Sequence, residues 1–303
     1  MYYNAFVTVL LRYCICTHHR RFCHKTYVKT VSTTLWRLLP SSAGAAQDEL
    51  AGAEALLTGL QAVPRAALRW YESPAPALVI GSGQKLIEVD LAACAAAGVS
   101  LHRRASGGSA VLFVPGLLMQ DLVLPLNHPL ALSDVSESYR WLGAIWAEVL
   151  GSVGVPAAPI SVPDAREDTR TLGSLLRRAC FVGRSPYEII ATGRKLVGFS
   201  QVRRRHGMLF QVGVYTRWPG ADLASLLRFA PDDAESLTAR VVGLDELLPT
   251  PPAPAALMRA FAEVMDMRHG ANLVPDDWRE DELMAMHAAL PRYAPISLVA
   301  PET

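Results

Sequence analysis

Lysine is nearly missing from this sequence. Only Lys25, Lys29, Lys85 and Lys195 occur in 303 residues, so a lysine in a motif-like setting beyond residue 30 is poor material for an ordinary solvated surface. An excess of charge of one sign is missing too. The 29 basic side chains stand against 28 acidic ones, a formal net charge of +1, which supplies no global field to draw the protein onto nucleic acid or a lipid surface. Cysteine is sparse: Cys14, Cys16 and Cys23 lie near the start and only Cys94 and Cys180 beyond. That excludes the disulfide framework of a small secreted domain and points to a reducing, cytoplasmic setting. No apolar run reaches the roughly 18 residues of a membrane span. What is present is a chain with 51% hydrophobic and 19% charged residues, which argues against disorder and is long enough to bury a sizeable core.

Acidic residues are absent from residues 1–34, which carry Arg12, Arg20, Arg21, Lys25 and Lys29 together with Cys14, Cys16, His18, His19, Cys23 and His24. A targeting peptide would put its charge before the apolar stretch, whereas here the apolar run 6–11 comes first and is short. A zinc site has ligands of the right type, but no finger spacing and no second ligand pair. The preferred reading is a spurious or disordered basic, Cys/His-rich leader, with no metal site. Because the leader holds five basic residues and no acidic one, the remaining chain is mildly acidic.

From residue 35 the pattern alternates helix and strand signals. Helical spacing predicts helices over 47–60, 89–97, 136–150, 255–267 and 280–290, and short apolar runs predict strands over 67–71, 77–81, 99–103, 110–114 and 119–126. A hairpin of 187–191 and 195–201 follows, joined through Thr192-Gly193-Arg194, with a third strand over 208–215. Residues 156–178 mix Pro, Asp, Arg and Gly and read as a mobile loop. Hairpins followed by helices predict an α+β fold with a mixed, largely antiparallel sheet flanked by helices. Residues 35–225 hold the strands and motifs, and 226–303 form a C-terminal helical part of the same domain.

Three groups bear on chemistry. Arg103-Arg104-Ala105-Ser106-Gly107-Gly108-Ser109-Ala110 sets two cations, a hydroxyl and adjacent glycines between two strands, a pattern suited to holding an anion and equally to an ordinary turn. Lys195, in Gly193-Arg194-Lys195-Leu196-Val197-Gly198-Phe199-Ser200-Gln201, sits on rigid strand geometry where an ammonium can stabilise charge on an acyl or phosphoryl oxygen, unless it is a solvated strand end. Cys180, before Phe181, becomes a nucleophile if a cation such as Lys195 approaches across the hairpin; otherwise it is a small buried hydrophobe. Cys94, on a helix's apolar face, is assigned to the core.

Taken in order with Leu68-Arg69-Trp70-Tyr71 and Gly81-Ser82-Gly83-Gln84, these segments resemble the lipoate-protein ligase A and octanoyltransferase family over roughly residues 35–293. The resemblance implies a biotin/lipoate ligase-like, class II synthetase-like domain that attaches octanoyl or lipoyl groups to one lysine of a lipoyl domain, such as those of 2-oxoacid dehydrogenases or the glycine cleavage H protein. It also implies that Arg103, Arg104, Ser106, Gly107, Gly108, Ser109 and Ala110, with Gln84 and Gly198, line the acyl or acyl-adenylate site, and that Lys195 contacts the acyl carbonyl.

Two branches of that family differ in chemistry. Ligases activate lipoate with ATP and Mg and usually read Gly-Gly-Gly in the loop. Certain octanoyltransferases use a cysteine shortly before a Tyr-Glu segment, need no cofactor, and take the acyl group from a carrier thioester. Here the loop reads Gly107-Gly108-Ser109 and Cys180-Phe181 precedes Ser185-Pro186-Tyr187-Glu188, which is similar to the second branch. The expectation is therefore acyl transfer through Cys180, with ATP-dependent ligation and a non-catalytic protein that binds acyl groups or lipoyl domains as rivals, and biotin ligation disfavoured. Two departures stand out: Phe113-Val114 replaces a His-Asp pair, and Val212-Gly213 replaces a His-Gly, so that two polar positions are expected to become apolar.

Overall fold

The computed structural model describes residues 34–298; the leader expected over residues 1–34 lies almost wholly outside the described residues. The chain runs β1 (Thr34–Leu38), β2 (Ser42–Ala43), α1 (Ala46–Gly59), β3 (Ala67–Glu72), β4 (Ala77–Ile80), α2 (Leu91–Ala96), β5 (Ser100–Arg103), β6 (Val111–Phe113), β7 (Leu117–Pro125), α3 (Arg140–Ser152), β8 (Ala158–Pro159), α4 (Val162–Thr171), β9 (Ile189–Ala191), β10 (Arg194–Arg204), β11 (Gly207–Tyr215), α5 (Gly220–Leu226), α6 (Pro231–Thr238), α7 (Pro254–His269), β12 (Ala271–Pro275) and α8 (Glu280–Ala289).

Nine strands form one mixed sheet in the order β12-β1-β3-β7-β11-β10-β9-β8, with β2 beside β3. The pairings from β3 through β7, β11, β10 and β9 to β8 are antiparallel, while β1 runs parallel to both β12 and β3. The expected mixed, largely antiparallel sheet is what forms. A second sheet of three strands, β5-β4-β6, carries the segment that leads into the Gly107-Gly108 loop.

Every residue of β7 and β11 is buried, because helices or the small sheet cover both faces of the large one. Side chains alternate across a strand, and the clusters follow that period. Leu118, Leu122, Leu124, Phe210, Val212 and Val214 pack with Trp146 of α3 and Phe261 of α7, where Trp70 meets both rings edge-on. Leu117, Met119 and Tyr215 face the small sheet instead, and Val123 and Leu209 meet α1.

Four differences from the sequence-based expectation have local causes. The segment 156–178, expected as a loop, contains α4, which Ser161 caps by accepting the Asp164 amide and Pro163 starts. The helix expected from 136 begins as a 3-10 turn over Glu137–Tyr139 before α3. The C-terminal part is not all helix: β12 follows directly on Gly270, whose φ of +59° ends α7, and lies alongside β1. Arg37 of β1 closes this edge by binding Asp276 and Glu282 at 2.6 and 2.5 Å. Finally, α5 and α6 occupy residues with no clear periodicity. Among the described residues no helix is long and apolar enough to cross a membrane.

Candidate active site

The site grows from a break in the sheet. Strand β9 pairs with β10 only from Arg194 to Val197, with a register shift between Lys195 and Val197. Residues 199–201 of β10 are therefore a free edge on that side. The Phe199 amide there is taken by Glu188 Oε1 at 2.9 Å, and the segment carrying Cys180 and the Gly107-Gly108 loop converge beside it.

That convergence is stitched by backbone. Ala110 N–H donates to the Arg178 carbonyl at 3.0 Å and Cys180 N–H to the Ala110 carbonyl at 2.9 Å. Ser109 Oγ reaches the Arg177 carbonyl, and Gln84 Nε2 the Arg178 carbonyl at 2.9 Å. Glycine is needed at two places. A Cβ on Gly81 would collide with the Gly108 carbonyl, and one on Gly108, whose φ is +85°, would lie 3.6 Å from Cys180 Sγ. The loop backbone thus rests against the half-buried thiol. No backbone or side-chain acceptor among the described residues takes the amides of Gly107, Gly108 or Ser109.

Two cavities meet at this thiol. An open pocket of about 460 Å³ is lined by Gly107, Gly108, Ser109, Tyr139, Cys180 and Arg184, among others. A narrow apolar slot of about 30 Å³ runs from Cys180 past Phe113, Met119, Phe181 and Gly198. Cys180, Phe199 and Ser200 belong to both.

Lys195 is fully buried and neutralised. Its Nζ lies 2.7 Å from Glu188 Oε1 and donates to the carbonyls of Gly183 at 3.0 Å and Cys180 at 3.3 Å. It comes close to Cys180, but at the backbone, and it lines neither cavity. Arg103 grips the carbonyls of Gly81 and Gln84 at 2.9 and 2.7 Å, clamping the 81–84 turn. Arg104 holds the carbonyls of Val79, Gly107 and Ser109 and binds Ser106 Oγ through Nε at 2.8 Å. Burial is the main influence on its guanidinium and lowers its pKa from the ordinary arginine value, with the Cys180 thiol opposing that effect. Ser106 passes the contact on to Gln211 Oε1 at 2.9 Å, and Gln211 Nε2 donates to Asp121 at 3.2 Å.

Of the residues singled out in the sequence, Gly107, Gly108, Ser109 and Cys180 line the open pocket, while Arg104, Gly198 and Cys180 line the slot. Gln84, Arg103, Ser106, Ala110 and Lys195 stand behind these walls as supports. Of the departures, Phe113 turns an apolar ring into the slot. Val212 borders it too, yet it packs in the cluster under α3, on the pleat opposite Gln211 and Gly213. Tyr139, Arg177, Arg184 and Glu188 were not found from sequence. Only Glu188 carried a local signal, the Tyr-Glu pair after the cysteine; the rest converge from distant segments.

The family model for the lipoyl protein ligase A/B catalytic domain matches residues 45–266. An octanoyltransferase LipM of Kyrpidia tusciae is 30% identical over 266 residues, covering 85% of this chain and 96% of that protein. The octanoyltransferase LipM of Moorella thermoacetica is 29% identical over 267 residues, 86% of this chain and 95% of that one. Among solved structures, lipoate-protein ligase A bound with ATP superposes with a TM-score of 0.68 at 20% identity, covering 86% of this chain and 94% of that one. The bi-partite lipoate protein ligase of Thermoplasma acidophilum, described together with its E2 lipoyl domain, gives a TM-score of 0.68 at 19% identity over 86% and 92% of the two chains.

Proposed function

The chain belongs to the lipoyl protein ligase A/B catalytic-domain family, whose work is octanoyl or lipoyl transfer to protein, and from that premise we propose that it carries the acyl group as a thioester on Cys180. The observation that carries this reading is the position of the thiol at the one place where a wide pocket meets an apolar slot. A carrier arm or an acceptor lysine enters through the first, and the acyl tail lies in the second. At about 30 Å³ the slot has room for little more than one water, so the tail enters as flexible side chains such as Met119 give way.

In the first step the Cys180 thiolate attacks the carbonyl of the carrier thioester. The bond to the carrier sulfur breaks, and the departing carrier thiolate takes up the proton Cys180 had lost. The free amides at Gly107, Gly108 and Ser109 are the donors for the transient oxyanion. In the second step the neutral amine of a lipoyl-domain lysine attacks the Cys180 thioester, an amide forms, and the cysteine leaves as a thiol with a proton from the amine. The acceptor in this reading is a lipoyl domain of the 2-oxoacid dehydrogenase or glycine cleavage H protein type.

The alternative is an acyl-adenylate made from ATP. Against it, neither arginine of the Arg103-Arg104 pair lines the open pocket, and both point donors at backbone carbonyls of the fold. Incubation with an octanoylated carrier protein and no ATP is expected to add one octanoyl mass to the Cys180 peptide, removable by hydroxylamine, and then to acylate a lipoyl domain. Cys180→Ala is expected to cut transfer at least about 10³-fold. Transfer that requires ATP and survives Cys180→Ala would instead establish the adenylate route.

A further inference from the structure

Four arginine or lysine side chains are buried among the described residues: Arg37, Arg69, Arg104 and Lys195. A buried cation is costly unless opposite charge accompanies it, and three of the four have carboxylates. Arg37 pairs with Asp276 and Glu282, Arg69 with Glu49 and Asp121, and Lys195 with Glu188. Arg104 has none. Its Nε donates to Ser106 Oγ at 2.8 Å and its Nη groups to the carbonyls of Val79, Gly107 and Ser109 at 3.0, 2.8 and 2.9 Å, all of them neutral acceptors. The ionisable group that meets it is Cys180, with Sγ 3.9 Å from Nη2.

We infer that the Cys180 thiolate is the missing counter-charge of Arg104, and that Arg104, rather than Lys195, is the catalytic residue that holds this cysteine in its nucleophilic form. The inference rests on the thioester reading above for its catalytic meaning, though not for its test. Lys195 cannot do the same work, because Glu188 already cancels its charge and its donors go to carbonyls. Ser106 and Gln211 are positioning residues. Ser106 Oγ donates to Gln211 Oε1 and so turns its lone pairs to Arg104 Nε, while Gln211 is fixed in turn by Asp121. Asp121 itself is bound to Arg69, and the two neutral side chains between keep its charge off Arg104.

The other groups facing the thiol and Arg104 are Tyr71, Tyr139 and Tyr215, the Lys195–Glu188 pair behind the Cys180 backbone, and the pocket arginines Arg177 and Arg184. Burial pushes all three tyrosines up, which keeps them neutral across the range where a thiol ionises. Tyr215 is further tied by its hydroxyl to the Leu112 carbonyl at 2.8 Å. They supply no competing anion.

The test is alkylation of the full chain by iodoacetamide as a function of pH, read by mass spectrometry on the Cys180 peptide so that the other four cysteines do not enter the signal. With Arg104→Gln the pH profile is expected to move to higher pH by about a unit or more, so that on its acid limb, where the thiolate fraction changes tenfold per unit, the rate falls about tenfold or more. Rates converge in alkaline solution, and Arg104→Lys restores part of the difference. Ser106→Ala, which leaves the charge in place but unaligned, gives a smaller displacement in the same direction, and it carries the test if Arg104→Gln fails to fold. Superimposable profiles for the parent and a folded Ser106→Ala or Arg104→Gln variant overturn the inference. So does a displacement produced by Lys195→Met and absent from Arg104→Gln. Alkylation does not involve acyl transfer, so a displaced profile in a protein that never acylates Cys180 would refute the thioester reading and leave the counter-charge standing.

Discussion

The Glu188 carboxylate makes three contacts around one buried charge, to Lys195 Nζ and to the amides of Phe199 and Ser185 at 2.9 and 2.6 Å, with Lys195 in turn fixing the carbonyl of Cys180. Removing one partner of such a pair leaves an uncompensated buried ion, so Glu188→Gln is expected to destabilise the protein by roughly 3–5 kcal/mol in urea unfolding, and the double variant with Lys195→Met to recover a large part of that loss. Phe113 belongs to the same scale. Phe113→Ala empties volume from the slot, costs about 3 kcal/mol or more, and is expected to raise the rate with longer acyl donors relative to octanoyl in a competition assay; an unchanged chain-length preference would show that Phe113 does not bound the tail. Lys195 and Cys180 were legible in the sequence because lysine and cysteine are so rare there. Their relation was not. It depends on the shift of register in β10 and on Glu188, which the Tyr-Glu pair marks without showing that it pairs with Lys195, and the strand pleat that turns Val212 away from its polar neighbours is equally invisible until the register is known.

Among elements, the loop from Arg103 to Ala110 is held by close backbone approach as well as by its own side chains. Gly81 lies in the turn after β4, yet its missing Cβ is what lets the Gly108 carbonyl come in. Gly81→Ala is expected to push the loop off the Cys180 segment, lowering acyl transfer by tenfold or more while the melting temperature changes only modestly, because the strain falls on a surface loop. Loss of stability in proportion to activity would contradict this. The hairpin of β9 and β10 and the helices α1, α3, α7 and α8 could be read from spacing. Strands β1 and β12 could not: β12 is five residues, Ala271–Pro275, half exposed, and joined to the end of a helix by one glycine. Only its parallel partner makes it a strand, and parallel pairing leaves no turn signature between the two. Helix α4 was hidden because Pro163 and the acidic and basic residues around it look like a loop unless Ser161 is recognised as a cap.

At the scale of the whole molecule, acid sensitivity follows from a histidine far from the site. His128 accepts the Leu130 amide on Nδ1 at 3.2 Å and stands edge-on to Trp36. Burial, with the neighbouring His269 adding to it, pushes its pKa down to about 4. The unfolded chain, with an ordinary imidazole near 6.5, therefore binds more protons than the folded one between those values. Stability from this group is fully present above about pH 6.5 and is lost as pH falls towards 4, by something on the order of 2 kcal/mol. Melting temperatures measured from pH 7.5 to 4.5 are expected to fall, and His128→Asn to flatten part of that slope; an identical slope would assign the loss to other groups. The α+β class and the mixed sheet were legible because the strand runs and their turns survive in any register, whereas the closing edge was not.

That closing edge also fixes when the protein can exist. Arg37 and Glu282, bonded across it, are 245 positions apart in sequence, and β1 has β12 as its outer neighbour. On a ribosome, β1 emerges and waits without that neighbour until Ala271–Pro275 and Glu282 have been made. The cysteine, its loop and its arginine are all synthesised well before then, so the parts of the site precede the frame that holds them. Completion of the fold is thus a late, long-range event of the kind that slows folding.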